Sequence, residues 1–423
     1  MRTAVIGAGI IGVTTAYELA AAGHEVTVYD RRASVASETS FANAGIVAPG
    51  YVTPWAGPGM PWKVLRGLLG RHAPVRLQGL GAWGQLPWMW RWWRACRPAV
   101  YTRNRAAMLG LARLSQARMR VLSHALQLDF EQRQGVTVLL RGDRELAQAR
   151  PGLKLLAELG VGFELLDAER TRQLEPALHT DTALRAAIHL PQDGLGNCRQ
   201  FAQLLKLEAQ RLGAHFRFDE TVLRVVPGTR PGVVGTASEQ SFDAVVLCTG
   251  VDSNPLLKGC GLQLPLAPVF GYSLTAPVRH ADGHPDPGPR AALMDERFKV
   301  AISRLGQRVR VAGSAELGGR LDQQSLPALR TLYKVLDDWF PGAADKPKAQ
   351  HWKGARPMLP DGPPVLGPSG APGVWLNLGH GSSGWALACG SAQVLASQVG
   401  GQATPLELGA EDLARLGMGR LSR

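Results

Sequence analysis

The first thirty residues restrict the fold more than any other part of the chain. They read Val5-Ile6-Gly7-Ala8-Gly9-Ile10-Ile11-Gly12, then Ala16-Tyr17-Glu18-Leu19, then Val26-Thr27-Val28-Tyr29-Asp30. Thr3 to Ile6 is a short apolar run suited to a buried parallel strand. Ile10, Val13, Ala16, Tyr17 and Ala20 recur at helical spacing behind the glycines, and Gly23 stops the helix. A strand, glycine turn, helix and second strand in this order predict a bound dinucleotide. Gly7 allows the tight turn, Gly9 lets the backbone approach a pyrophosphate, and Gly12 lets the helix lie close on the strand. The phosphates then fall at the positive helix N-terminus, beside Ile10 and Ile11. Asp30, followed by Arg31, ends the second strand about 20 residues on, where its carboxylate can accept hydrogen bonds from ribose hydroxyls. A 2′-phosphate there would be repelled, so FAD or NAD fits and NADP does not.

At 423 residues, 45% hydrophobic and 19% charged, the chain can build two or three cores, and disorder is not expected. Lysine and arginine exceed aspartate and glutamate by 13. Nucleic acid, anionic lipid, or an arginine-rich composition without a partner could each account for that excess. The five cysteines are scattered and form no C-x-x-C pair, so neither a disulfide framework nor a metal site is expected, and a reducing cytoplasm fits. Glu18 interrupts the alanine-rich opening that could pass for a signal peptide. No uncharged run of about 18 apolar residues predicts a membrane span.

Beyond Asp30, residues 31–61 are rich in Gly, Pro, Ser and Ala and read as loops laid over a ligand. Helical patterns follow at 103–128, 144–159, 200–211 and 325–340, and Phe130 to Leu140 reads as a strand pair. His215-Phe216 and Thr221 to Val226 read as strands. Phe242 to Gly250, an apolar strand ending in Thr249-Gly250, predicts that the nucleotide domain resumes there with a strand beside the first. Gly271 to Leu274, Lys299 to Ser303 and Val309 to Ala312 predict an antiparallel sheet facing the cofactor. Val374 to Leu378, then Gly379-His380-Gly381-Ser382-Ser383-Gly384 and an alanine-rich helix, form a second strand, glycine turn, helix unit.

These motifs together resemble the FAD-dependent D-amino-acid dehydrogenases of the amino-acid oxidase superfamily, from residue 1 to about 405. The resemblance rests on G-A-G-I-I-G with H-E-V-T-V-Y-D, E-T-S-F-A-N-A-G-I-V-A-P-G-Y, G-Y-S-L-T, G-A-R-P-M-L-P-D-G-P-P-V-L-G and G-H-G-S-S-G-W-A-L-A-C-G. It implies non-covalent FAD, oxidation of a D-amino acid to the imino acid and then to the 2-oxo acid with ammonia, and electron delivery to a quinone. The sequence departs from the family at Phe270, where relatives carry lysine, and at Ser383, where a larger residue is common.

Ser40, Asn43, Ala44 and Gly45, followed by Ile46, offer small residues and backbone N–H groups for a pyrophosphate and a flavin ring. Val222, Thr249 and Gly250 belong to the same cofactor side. Gly379, His380, Gly381, Ser382, Ser383 and Gly384 place backbone donors at a helix start, where positive potential favours the anionic edge of a flavin. His380 is assigned no proton transfer. Arg356, between Ala355 and Pro357, is the candidate for the substrate carboxylate, because a guanidinium is a planar fork matching two oxygens. Tyr272 is the second candidate for that carboxylate.

Trp83, Trp88, Trp90, Trp92 and Trp93 crowd one stretch with Arg91, Arg94 and Arg97, preceded by Trp62 and Arg71-His72. They read either as a contact with a lipid headgroup zone or as a buried aromatic helix. The expected architecture is α/β, α+β overall. A discontinuous Rossmann-like FAD-binding domain covers 1–60, 190–255 and 350–423, and a substrate domain on an antiparallel sheet covers 61–189 and 256–349. The rival readings are a glycine, sarcosine or L-proline oxidase or dehydrogenase of the same layout, and a tRNA-associated flavoprotein. The second lacks a separate RNA-binding module, so no nucleic-acid partner is expected.

Overall fold

A computed structural model describes residues 1–67, 72–280, 283, 285–405 and 408–421; Arg71 of the tryptophan-rich stretch lies outside them. The apolar runs assemble into a six-stranded sheet in the order Val365–Pro368, Val374–Leu378, Ala244–Leu247, Arg2–Ile6, Glu25–Tyr29 and His215–Arg217. All neighbours are parallel except the first pair. Val5 lies between Val28 and Val246, so the strand ending at Leu247 does sit beside the first. Strands buried on both faces explain the continuous apolar runs.

Helix Ile10–Ala21 packs between helices Cys198–Arg211 and Gly384–Val399, and Val13, Phe201, Trp385 and Leu395 share one core cluster. Glu18 is buried there and takes a two-bond ion pair from Arg118 on the long helix Pro98–Ala125. That helix also packs on Gly384–Val399, although the sequence reading assigned residues 61–189 to the substrate domain.

The second sheet runs Gln350–Met358, Ala267–Pro277, Arg308–Leu317, Val300–Leu305, Ala292–Asp295, Arg133–Leu140, Ala186–Leu195 and Ile46–Val47. Along this order the neighbours are antiparallel apart from Ala292–Asp295 with Arg133–Leu140, and off it Val75–Leu77 adds a second parallel pairing, to Arg308–Leu317. Helix Leu326–Trp339 covers it, burying Trp339, Leu332 and Val335 against Tyr272, Leu274 and Ile302.

Two sequence expectations change here, and a third strand finds its sheet. Phe130 to Leu140 is not a strand pair: Gly135, at φ +90, makes a bulge within a single strand rather than a hairpin turn. Phe130 meanwhile packs edge-on against Phe201 and Trp385. Val222–Val226 pairs in a separate three-stranded sheet with Gly232–Gly235 and Glu239–Ser241. Residues 350–358, expected in the FAD domain, form a strand of the second sheet along Ala267–Pro277.

Candidate active site

A cavity of about 1700 Å3 runs between the two sheets. Arg356, Tyr272 and every cofactor-side candidate except Gly12 line it. Gly12 is packing: a Cβ there would lie 1.7 Å from the Gly7 carbonyl oxygen, so only glycine lets the helix approach its strand. Gly7 sits at φ +102, and a Cβ on it would meet the Cys248 carbonyl at 2.7 Å.

The glycine turn ends in a helix start with few internal partners. Ser40 Oγ accepts from the Ile10 amide at 3.0 Å, while the amides of Ile11 and Gly12 have no protein acceptor among the described residues. Unserved first-turn amides at a cavity wall are what a pyrophosphate needs. Asp30 accepts from the amides of Ala8 at 2.6 Å and Arg32 at 2.8 Å, and burial raises its pKa despite both bonds. Each carboxylate oxygen keeps a lone pair for a ribose hydroxyl. Arg31 is held by Glu38 and Asp252 at 2.8 Å.

The loop carrying Asn43, Ala44 and Gly45 is fastened to the second sheet through successive carbonyls. Ser273 Oγ donates to Ala42 O at 2.8 Å, Arg310 Nη1 to Asn43 O at 3.1 Å, and Ser303 Oγ to Ala44 O at 2.7 Å. Trp385 Nε1 donates to Gly45 O at 3.1 Å. Arg310 and Trp385 were not anticipated, since nothing local in the sequence reveals what an arginine on a distant strand will bind. At the other glycine turn, Gly379 sits at φ +78 and Gly381 at φ +57, and a Cβ on Gly379 would strike Leu359 at 2.4 Å. His380 is buried with Nε2 3.0 Å from Ser391 Oγ, and burial pushes its pKa down to about 3, so it is neutral. Ser382 Oγ accepts from Trp55 Nε1 at 3.1 Å.

Arg356 Nη1 donates to Ser314 O at 2.9 Å, and no carboxylate among the described residues lies within ion-pair distance of it. Burial lowers its pKa to about 10, which leaves it a cation at neutral pH. A buried cation without an anion carries a desolvation cost that an incoming carboxylate offsets. Two unforeseen features aim it. Ser314, at φ +61, sits in a bulge where the pairing between Ala267–Pro277 and Arg308–Leu317 slips, and this turns its carbonyl to Arg356. Gly271 leaves the space that the guanidinium fills.

Tyr272 lines the cavity, but its hydroxyl is tied inward. Its hydroxyl donates to Glu316 Oε2 at 2.8 Å, and Glu316 Oε1 accepts from the buried Lys353 at 2.8 Å. The phenol's one proton is thus spent on an internal carboxylate rather than offered to a substrate. Lys353 Nζ also lies 4.5 Å from the centre of the Phe270 ring, so a cation from the adjacent strand stands beside that side chain.

A strand–glycine–helix cradle faces an antiparallel sheet, with the buried Arg356 guanidinium at the wall of the cavity between them, a layout suited to a flavin oxidoreductase. Residues 2–398 match the family described as FAD dependent oxidoreductase, and the chain belongs to that family, with FAD as its cofactor. D-amino acid dehydrogenase of Bradyrhizobium diazoefficiens is 41% identical over 97% of this chain and 97% of the relative. That of Cereibacter sphaeroides is 43% identical over 96% of this chain and 93% of the relative. By this relationship the protein is an FAD-dependent amino-acid dehydrogenase. Among solved structures, glycine oxidase from Geobacillus kaustophilus superposes with a TM-score of 0.75 at 20% identity, covering 99% of this chain and 98% of that one. L-proline dehydrogenase from P. horikoshii does so at 0.69 and 18% identity, covering 96% and 95%. Both likenesses speak for the fold alone.

Proposed function

We propose that the protein oxidises D-amino acids, with a broad D-alanine-like preference, to imino acids that hydrolyse to 2-oxo acids and ammonia. The observation that carries this reading is Arg356, a buried guanidinium at the cavity wall without an acidic partner. Its fork takes the substrate carboxylate, while Ser314 and Gly271 fix its direction. Bound FAD supplies the acceptor for a hydride leaving Cα. The substrate amine enters as the free base, so no protein acid–base pair is required, and the neutral His380 is consistent with that. The cofactor is held by the amides of the first glycine turn, Asp30, the Ser40 to Ile46 loop, Val222, Thr249-Gly250 and the Gly379 to Gly384 turn. Electrons leave to a quinone or another non-oxygen acceptor, taken up by an enzyme lying on the inner face of an anionic membrane.

Anaerobic mixing of the yellow protein with a panel of D- and L-amino acids tests the reading. D-alanine and small D-amino acids should bleach the flavin absorbance, and bleaching by L-enantiomers or glycine alone would overturn it.

A further inference from the structure

The positive charge is unevenly placed. Between Glu38 and Asp129 stand twelve lysines and arginines and not one aspartate or glutamate, against a net charge of +13 for the whole chain. Some of these cations serve packing: Arg118 pairs with Glu18, and Arg113 and Arg120 bind backbone carbonyls. Those on the helices Met60–Gly67 and Leu86–Ala95 and just beyond do not. Lys63, Arg66, Arg91, Arg94 and Arg97 are exposed, and none has an ion-pair partner among the described residues.

Tryptophans are interleaved with them. Trp62 (67%), Trp83 (69%), Trp90 (58%) and Trp93 (50%) are the exposed tryptophans among the described residues, and Leu65 and Leu86 join them. Helix Leu86–Ala95 is apolar on two sides. Trp88, Met89 and Trp92 face inward, with Trp88 Nε1 donating to Met358 O at 3.0 Å. Leu86, Trp90 and Trp93 face out, the two indoles stacked with centroids 5.0 Å apart. Helix Met60–Gly67 packs Met60 in one cluster with Trp92 and exposes Trp62, Leu65 and Arg66. Its Met60, Lys63 and Val64 line the cavity.

Exposed indoles beside unpaired cations cost free energy in water and gain it at a headgroup boundary, where rings sit among acyl carbons and guanidinium groups meet lipid phosphates. No described helix is long and apolar enough to cross a membrane, which makes a surface contact the geometry in question. We infer that these two helices form a docking face for an anionic bilayer, and that helix Met60–Gly67, lipid contact on one side and cavity wall on the other, brings the cavity to the lipid surface. This deepens the membrane and acceptor reading given above, but the binding itself is measured without turnover.

The test is cosedimentation of the holoenzyme with vesicles of phosphatidylglycerol or phosphatidylcholine, with brominated lipids as quenchers of indole fluorescence. Binding to the anionic vesicles should be strong at low salt and at least about tenfold weaker at 0.5 M salt, where the screening length is only a few ångström. Fluorescence should be quenched. The pairs Trp90→Ser/Trp93→Ser and Arg91→Glu/Arg94→Glu should each weaken binding at least about tenfold, as loss of interfacial anchors or charges requires. Both should leave anaerobic flavin bleaching unchanged. No cosedimentation at low salt, binding that both variant pairs leave intact, or salt-sensitive retention of RNA without vesicle binding would overturn the inference. Failure of D-amino acids to bleach the flavin would instead strike the substrate reading alone.

Discussion

Gly271 and Arg356 occupy one space: a Cβ on Gly271 would lie 2.2 Å from Nη2 and 2.4 Å from Cζ of the guanidinium. They belong to adjacent hydrogen-bonded strands, Gly271 pairing with Gly354 two residues before the arginine. The atoms in conflict are the far end of a flexible side chain, so Gly271→Ala should fold and hold FAD while pushing the guanidinium aside. KM for the amino acid should rise at least about tenfold, the loss of one charge-assisted hydrogen bond. Flavin content should stay at the wild-type ratio; loss of flavin in place of a raised KM contradicts the assignment.

Arg356→Lys keeps the charge but removes the fork. A charge-assisted bond is worth about 1.5–3 kcal/mol, so kcat/KM should fall roughly 10- to 100-fold. The affinity of a non-reactive carboxylate, read from its perturbation of the flavin spectrum, should fall in parallel because the same fork holds both. Steady-state kinetics identical to wild type would remove Arg356 from the site.

How far the sequence reached is clearest from particular residues. The glycine turn at 7–12 and the strand Val374–Leu378 were legible because their signals are local: an apolar run, then glycines, then helical spacing. What could not be read depends on partners far along the chain. Tyr272 was matched with a substrate, yet its hydroxyl meets Glu316, 44 residues on, through a register that no periodicity encodes. Gln350–Met358 was placed with the following flavin motif, but its strand neighbours lie some 80 residues earlier. Phe130 to Leu140 was expected as a strand pair, and Gly135 instead makes a bulge there, because glycine at positive φ serves turn and bulge alike. Arg356 was singled out from its motif, whereas Ser314 and Gly271, which aim it, were not.

The two glycines of the first turn should separate folding from cofactor binding. A Cβ on Gly9 would find only Ser40 Oγ, at an ordinary 3.5 Å, whereas one on Gly12 would be driven into the Gly7 carbonyl. Gly9→Ala should therefore give folded protein with near-native circular dichroism and a strongly reduced ratio of flavin to protein absorbance, since the methyl intrudes where phosphate approaches. Gly12→Ala should misfold or lose several kcal/mol of stability, as overpacking against backbone does. Equal flavin content in Gly9→Ala and wild type would show that the turn does not carry the pyrophosphate.

Tyr272→Phe separates the structural role of the phenol from a substrate role. Glu316 keeps Lys353, so the variant loses one hydrogen bond to a charged group, about 1.5–3 kcal/mol of stability seen as a lower Tm. KM should stay within about twofold of wild type, well below the tenfold that a lost substrate bond entails. A KM raised tenfold with unchanged Tm would restore Tyr272 to the carboxylate.

His380 provides a pH signature with a defined sign. The Ser391 hydroxyl donates to the Leu387 carbonyl at 2.5 Å, so Nε2 carries the proton and donates to Ser391, and the ring is neutral. Burial pushes its pKa to about 3, below the ordinary value near 6.5. The unfolded chain thus binds a proton more readily than the folded one. Stability is fully present above about 6.5 and is lost as pH falls from there toward 3, about 2 kcal/mol by pH 5. Glu175 and Asp193, whose carboxyls burial raises to about 7, act in the opposite direction, because protonation relieves them as pH falls. The measurement is therefore a double difference: unfolding free energy at pH 7 minus pH 5, wild type against His380→Gln. The variant should lose less on acidification by about 2 kcal/mol, while kcat/KM of wild type shows no inflection from this ring between pH 5 and 8. An equal loss in both proteins would mean that the folded ring takes up its proton as readily as the unfolded one and that burial does not exclude it.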